Sequence, residues 1–407
     1  MRLRRTVIMS VVTAWIFGAL CAAAPVQRIH EIQSPLISGP VFVTPGGSFE
    51  IKLKLEGKAA AGAELIAAAD AAKTAALALG TAAAGPDGLS VVSASVPAEA
   101  AEALYDLKVN FSDGTSDTQP HCVKVLKEFK KDFDFVHITD IHFNVDHFEG
   151  EGDMNLIRRR LLQDISAQNP EFVVFGGDLG LNPETYDVDY VYGYGEFLNN
   201  LTVPMFMVPG NHELYVDDRV NPVIDGLDYW KAAYGPTYRS FDYGVMHVVG
   251  INTFDWDAKF RRRFDEEMVF FGTVINAFIG PEQWNWLKGD LETAAGAGKN
   301  IVAFTHIPIQ TLQGGRKIGY KNPEKMKGPD TEKFTGLLNQ FGVSHVFIGH
   351  MHYNEEKDFG GLKQVMTQAA GIAGDDSEVF WGYRVVHVKD GKVAGSEIHE
   401  IGFKDLK

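Results

Sequence analysis

From residue 25 to about 127, apolar and polar positions alternate in short runs broken by glycine and proline. Val41-Phe42-Val43, Phe49-Glu50-Ile51-Lys52-Leu53 and Ala103-Leu104-Tyr105-Asp106-Leu107-Lys108-Val109 carry the two-residue period of half-buried strands. Gly46-Gly47 and Ser112-Asp113-Gly114 supply turns, so a small antiparallel sandwich is expected here. Residues 58–85 are so rich in alanine that propensity alone favours helix; they are read as small-residue strands.

After the charged stretch 124–134 the rhythm changes. Strand-like apolar runs now alternate with amphipathic helical patterns, which is an α/β arrangement. One helix is expected over 155–169, with Ile157, Leu161, Leu162 and Ile165 on its apolar face and Pro170 ending it. Two more are expected: 281–295, opened by Pro281 and carrying Trp284, Leu287 and Leu291, and 331–341, carrying Phe334, Leu337, Leu338 and Phe341. The chain shows no repeat of solenoid period.

At 407 residues and 45% hydrophobic the chain can build sizeable cores, and two domains are expected. Its net charge of -15 argues against general nucleic-acid binding through a basic surface. The N-terminus reads as an export signal over 1–23: Arg2, Arg4 and Arg5, then an apolar run over 7–20, then small residues to Ala24. The expected location is therefore secreted or periplasmic. Membrane anchoring would follow only if this segment stayed uncleaved, and lipidation at Cys21 is the weaker alternative because Leu20 precedes it. Only Cys122 would remain after cleavage, so no internal disulfide is expected.

The chemistry concentrates where five apolar runs of the second region end. Phe135 to Ile138 leads to Asp140 and His142, and Phe172 to Phe175 leads through Gly176-Gly177 to Asp178. Met205 to Val208 leads through Pro209-Gly210 to Asn211 and His212, Ile301 to Phe304 leads to His306, and Val346 to Ile348 leads through Gly349 to His350 and His352. Strands of an α/β sheet present their carboxyl ends along one edge, so these distant groups converge on one crevice. A set of Asp, Asn and His without thiolate suits Mn, Fe or Zn and disfavours a structural zinc of the cysteine type. Asp140, His142, Asp178, Asn211, His306, His350 and His352 are too many for one ion; two divalent ions sharing a carboxylate, roughly 3.5–4 Å apart, are the usual machinery of phosphoryl displacement.

Asp140-Ile141-His142, Gly177-Asp178, Gly210-Asn211-His212-Glu213, His306 and Gly349-His350-Met351-His352, in that order, resemble the calcineurin-like metallophosphoesterase superfamily over about residues 132–407. The resemblance implies two packed sheets flanked by helices. It also implies one metal on Asp140, His142, Asp178 and His352 and a second on Asp178, Asn211, His306 and His350, with Asp178 as the bridge. A hydroxide between the ions would attack phosphorus, Asn211 would also touch a phosphate oxygen, and His212 would protonate the departing oxygen, a task suited to imidazole. The run from Tyr383 to His387, a turn at Asp390-Gly391 and the run from Val393 to Ile401 would close a sheet as a hairpin. The first part resembles an immunoglobulin-like sandwich, in which Tyr105 is either the corner tyrosine or an ordinary buried strand tyrosine. The resulting division is 1–23 signal, 24–130 sandwich and 131–407 catalytic domain.

Two departures narrow the resemblance. Purple acid phosphatases share a sandwich before the catalytic part, but their pattern places a tyrosine ligand where this chain has Leu181, and lacks the histidine found here as His142. Serine/threonine protein phosphatases place an acid at the Leu181 position to orient the proton donor, so the group that orients His212 is not legible. Glu213 is read as a supporting carboxylate, and His137, His247 and His345 as satisfied histidines within strands. His147 is read as a loop residue. Arg261, Arg262, Arg263, Phe264, Phe270 and Phe271 are read as a solvated charge run beside ordinary packing rather than a lid. Gly314-Gly315-Arg316-Lys317 is a weaker candidate for holding a distal phosphate or leaving group. The expected function is hydrolysis of small-molecule phosphomonoesters or phosphodiesters. The alternatives are a nuclease of the same superfamily, or a surface- or ligand-binding scaffold with a vestigial metal domain.

Overall fold

A computed structural model describes residues 24–85, 87–143, 154–264, 273–312, 327–371, 381–402 and 405. The expected signal segment, His147, Phe270, Phe271 and residues 314–317 lie outside these. Among the described residues, nine strands come first: β1 Ile32–Ser34, β2 Val41–Val43, β3 Ser48–Leu53, β4 Ala60–Ala67, β5 Thr74–Leu79, β6 Ala83–Ala84, β7 Ser90–Ser95, β8 Ala103–Phe111 and β9 Ser116–Val125. They form one sheet in the order β1-β3-β7-β5-β4-β8-β9-β2, with β6 on β7. The sheet folds over at β5, whose first four residues pair with β4 and whose last two pair with β7. The two layers enclose Ile51, Leu65, Leu107, Val109 and Val123, the inward positions of the alternating pattern. The alanine-rich stretch is β4 to β6, as the strand reading expected: Ala63, Leu65 and Ala67 point inward at every second place. Tyr105 is buried and its hydroxyl donates to the Ala101 carbonyl oxygen at 2.8 Å, the contact of a corner tyrosine.

The second region holds two sheets. In the first, β10 Phe133–Ile138, β11 Val173–Phe175 and β12 Met205–Met207 are parallel neighbours. β21 Trp381–Lys389 runs antiparallel beside β10, and β22 Lys392–Ile401 returns along β21 through the left-handed pair Asp390 and Gly391, so the expected closing hairpin is present. In the second, β16 Met246–Gly250, β17 Asn300–Phe304, β18 Val343–Ile348 and β20 Leu362–Met366 are parallel, flanked by β15 Arg239–Tyr243 and β19 Glu355–Phe359 as antiparallel edges. A two-residue ladder, β13 Val216–Asp217 with β14 Ile224–Asp225, lies apart. Phe135, Phe172, Val174 and Phe206 of the first sheet pack on Val248, Val302, Phe304 and Phe347 of the second. The outer faces carry α1 Met154–Gln168, α2 Tyr186–Asn200, α3 Gly226–Ala233, α4 Pro281–Gly296 and α5 Thr331–Gln340.

The three expected helices are therefore present within a residue or two of their expected ends. α1 buries Ile157, Leu161, Leu162 and Ile165 as the pattern requires, and also Arg158. α2 and α3 were not expected. α2 is rich in tyrosine and contains two glycines, a composition with weak helix propensity, and what holds it is the burial of Tyr186, Tyr190, Gly193, Tyr194 and Phe197 along one face.

β2 and the segment before it are built into the second region. Ile37 belongs to the helix-side core, and Phe42 belongs to the core between the sheets, with ring centroids 5.4 Å from Phe241, 5.3 Å from Tyr243 and 6.0 Å from Phe172. The Met207 N–H donates to the Ser38 carbonyl at 2.9 Å, which ties this segment to β12.

Candidate metal centre

The carboxyl ends of β10, β11 and β12 in one sheet and of β17 and β18 in the other face one crevice, and all five expected ligand runs end there. Two groups of side chains have ligand atoms within 4.8 Å of one another: Asp140, His142 and His352, and Asp178, His306 and His350. The six are aspartates and histidines at the ends of four of the five runs. Asp178 lies between them, because its Oδ2 is 3.0 Å from His306 Nε2 and 3.8 Å from His142 Nε2. Asp140 Oδ1 is 3.2 Å from His352 Nε2 and 3.9 Å from His306 Nε2.

The backbone is bent to achieve this. Asp140, His142, Asp178, His350 and His352 all have positive φ, between 42° and 74°, a region that side-chain-bearing residues visit rarely and at a cost. Five such residues at one crevice show that the surrounding fold enforces the geometry of the ligands. Glycines let the strand exits touch. At Gly177, with φ of 102°, a Cβ would lie 2.4 Å from the Gly210 nitrogen, and at Gly210 a Cβ would lie 2.0 Å from Asp178 Oδ1.

Two of the rings are held by their far nitrogens. His142 Nδ1 lies 2.9 Å from the Gly180 carbonyl and His306 Nδ1 lies 2.8 Å from the Gly176 carbonyl, so each Nδ1–H donates to backbone and Nε2 is turned to the crevice. Asn211 Nδ2 donates to the Tyr215 hydroxyl at 2.5 Å, turning Oδ1 to the crevice. His142 Nε2, His306 Nε2 and Asn211 Oδ1 are buried and accept no hydrogen bond among the described residues. Buried polar atoms are nearly always paired, so three orphans aimed at one space fit cation ligands.

The electrostatics agree. Burial pushes His142 and His350 down to about 3, which keeps both rings neutral and able to coordinate. Burial works against charge on Asp140 and Asp178 too, but His306 and the other imidazoles more than offset it and hold both carboxyls below their usual range. Burial also opposes protonation of His306, yet Asp178 and Asp140 raise it to about 9, placing a positive charge where cations would otherwise balance the carboxylates.

Glu213, read as a supporting carboxylate, accepts four backbone N–H groups: Asp178 at 2.8 Å, Leu179 at 2.5 Å, Gly180 at 3.1 Å and Gly210 at 2.7 Å. It staples the β11 exit to the β12 exit, and so sets the position of the Asp178 carboxylate. His212 takes its orientation from the backbone: its Nδ1 lies 2.6 Å from the Leu181 carbonyl oxygen, and its Nε2 lies 3.9 Å from Asp178 Oδ2. The His212 side chain is 23% exposed, so it stands at the open side of the crevice.

The sequence missed several supports. Arg158 is 1% exposed; its Nε donates to the Ile141 carbonyl and its guanidinium to the Gly371 carbonyl, both at 2.7 Å, clamping the turn between Asp140 and His142. The Tyr186 hydroxyl donates to the His212 carbonyl and accepts the Tyr215 N–H at 3.1 Å. Helical spacing of Tyr186 and Tyr190 was the available signal. The basic run corrects the reading made of it. Arg262 is exposed and paired with Asp218, but Arg261 is 4% exposed and forks onto Asp225 at 2.8 and 3.0 Å, and Arg263 is half-buried beside Asn182. The three strand histidines lie outside the site. His137 is buried against Thr367, His247 is held between Asp242 and Asp290, and the His345 ring stacks on Phe347.

Residues 133–354, more than half of the chain, match the calcineurin-like phosphoesterase family. An acid phosphatase of Aspergillus ficuum is 23% identical over 288 residues, covering 55% of this chain, which spans about half (45%) of that protein's length. A probable cyclic nucleotide phosphodiesterase of a Pseudoalteromonas strain is 24% identical over 267 residues, 62% of this chain and 86% of that protein. Among solved structures, a purple acid phosphatase from yellow lupin seeds superposes with a TM-score of 0.50 at 12% identity, over 90% of this chain and 72% of the lupin chain. At that identity the likeness is one of fold.

Proposed function

The chain belongs to the calcineurin-like phosphoesterase family, a metal-dependent hydrolase family, and on that premise we propose that it is an exported hydrolase of phosphomonoesters or phosphodiesters using two divalent ions. The observation that carries this reading is the convergence of three orphaned buried ligand atoms, on His142, His306 and Asn211, around the carboxylate of Asp178. Asp140, His142, Asp178 and His352 would hold one ion, and Asp178, Asn211, His306 and His350 the other. Mn, Fe and Zn all suit these oxygen and nitrogen donors. When bound, two such ions supply Lewis acidity at the phosphoryl oxygens and make a water acidic enough to attack near neutral pH.

The chain's own residues do the rest. Arg158, Glu213 and the Gly176 and Gly180 carbonyls fix the ligands before substrate arrives, so no reorganisation is needed during the reaction. Asn211 presents its amide oxygen to the crevice from an anchored amide. His212, at the open side with its Nδ1–H on the Leu181 carbonyl, delivers a proton from Nε2 to the oxygen that leaves phosphorus. Phosphatase and phosphodiesterase activities attributed to the two relatives support both ester classes as substrates. The basic start and apolar run over 1–23 support export.

The test is hydrolysis of nitrophenyl phosphate and bis-nitrophenyl phosphate by protein lacking residues 1–23, stripped of metal and reloaded with Mn, Zn or Fe. Activity on either ester that requires metal and disappears in Asp178→Asn supports the reading. Hydrolysis that persists without metal, or in the Asn variant, refutes it.

A further inference from the structure

A cleft of about 690 Å³ lies between the sandwich and the second region, and none of the candidate metal ligands lines it. One wall comes from β3 and the segment leading into β2; the other comes from the start of β15, the residues just before it, and Trp286 of α4. Its volume is ordinary for a small-molecule site, and such sites favour the junctions between domains.

Arg239, the first residue of β15, lines this cleft. Its guanidinium lies between two glycines: a Cβ at Gly39 would fall 2.3 Å from Nη1, and one at Gly235 would fall 3.2 Å from Nη2. Nη2 uses both of its hydrogens, donating to the Tyr234 carbonyl at 2.5 Å and the Pro236 carbonyl at 2.9 Å. Nε is buried without a partner, and Nη1 has no acceptor among the described residues either. Unlike Nε, Nη1 is not sealed from solvent.

Among the described residues no carboxylate balances this cation. Of the acids that line the cleft, Asp87 pairs with Lys52 at 3.1 Å, and Asp242 pairs with His247 at 2.7 Å and Lys299 at 3.0 Å. Glu50, exposed on β3, makes no ion pair with Arg239. Burial pushes the guanidinium down to about 10, with no neighbouring acid to offset it. A desolvated charge without a partner is costly, so the cleft wall holds a donor whose acceptor has to come from outside the chain. Lys52 is occupied by Asp87, which leaves one positive charge on the lining and suits a singly charged carboxylate better than a phosphate dianion. Beside Arg239 stand the partly buried rings of Tyr238 and Trp286, with centroids 4.8 Å apart, and Pro40 and Phe241 extend this apolar surface.

We propose that this cleft is a second binding site, for a small molecule that joins one carboxylate to a flat apolar group. The carboxylate accepts from Arg239 Nη1, and the apolar part rests on Tyr238 and Trp286. The site stands independently of the hydrolase reading, and a ligand in it touches both the sandwich and the second region.

The test is calorimetric titration of the metal-loaded protein with naphthoate, with its neutral isostere naphthamide, and with acetate. Wild type is predicted to bind naphthoate about ten- to a hundredfold more tightly than naphthamide, the worth of a charge-assisted hydrogen bond, and more tightly than acetate. Arg239→Gln loses the preference for the charged probe and Arg239→Lys keeps part of it. Trp286→Leu loses the preference for naphthoate over acetate. Asp178→Asn leaves naphthoate binding within about twofold of wild type, which separates the cleft from the metal centre. Where Arg239→Gln fails to fold, as judged by circular dichroism, the wild-type comparison and Trp286→Leu decide the matter. Equal binding of naphthoate and naphthamide by wild type overturns the inference. So does a preference that survives in folded Arg239→Gln, or naphthoate binding that is lost in Asp178→Asn. None of these outcomes bears on whether the metal centre hydrolyses phosphoesters.

Discussion

The Nδ1 of His212 lies 2.6 Å from the carbonyl oxygen of Leu181, so the side chain assigned to proton donation is aimed by backbone. A backbone carbonyl is not removed by changing the side chain of its own residue. Leu181→Ala therefore keeps hydrolysis within about threefold, while His212→Ala slows poor leaving groups by about 10²–10⁴-fold, the usual worth of a positioned general acid. Rates for a series of aryl phosphates, with metal content measured alongside, check this. Loss of metal in His212→Ala would contradict the role given to it.

Tyr215 is a positioning residue for Asn211, whose Nδ2 donates to its hydroxyl at 2.5 Å. Tyr215→Phe frees the amide to rotate and is expected to weaken binding of one ion by about ten- to a hundredfold, the usual effect of removing a group that orients a ligand. Competition titration with a chelating dye would show one of the two binding steps weakened and the other retained. Equal weakening of both would mean that the hydroxyl acts on the whole crevice.

Much of this centre was legible because its residues follow a rule that letters can carry: an apolar run, a glycine, then a ligand. Asp178, Asn211 and His350 satisfy it in full, while Asp140 and His306 follow their apolar runs through a threonine instead of a glycine. The carbonyl of Leu181 has no letter of its own, so the answer to what orients His212 could come only from geometry. Arg158 and Arg261 look like surface residues in sequence and are buried because carbonyls, or in one case Asp225, satisfy them. α2 escaped notice because tyrosine and glycine are weak helix formers, and tertiary burial overrides that preference. Phe42 reads as a sandwich strand residue and packs in the core between the other two sheets.

That placement predicts coupled stability. Phe42 is 8% exposed and touches three aromatic rings of the second region. Phe42→Ala is expected to cost about 3–5 kcal/mol, and the wild type to unfold in urea with coincident tryptophan-fluorescence and circular-dichroism transitions. Separate transitions in the wild type would show that the sandwich folds independently of the sheets behind it.

His247 gives a pH dependence remote from the crevice. Its ring lies 2.7 Å from Asp242 and 2.9 Å from Asp290; burial opposes its charge, but the two carboxylates raise it to about 9. Because the folded value exceeds the unfolded value of about 6.5, the stabilisation is full below pH 6.5 and is lost as pH rises through about 9. The loss amounts to about 3 kcal/mol at most. His247→Asn should flatten the decline in urea stability between pH 6.5 and 9.5 relative to wild type; an unchanged slope would contradict the ion-pair account.

The central claim is that Asp178 joins two ion sites, and metal stoichiometry tests it most directly. Protein reloaded with Mn or Zn and freed of excess metal is predicted to hold two ions per chain by elemental analysis, with Asp178→Asn holding one or none. A wild type that holds a single ion, or an Asp178→Asn variant that keeps both, would contradict the account.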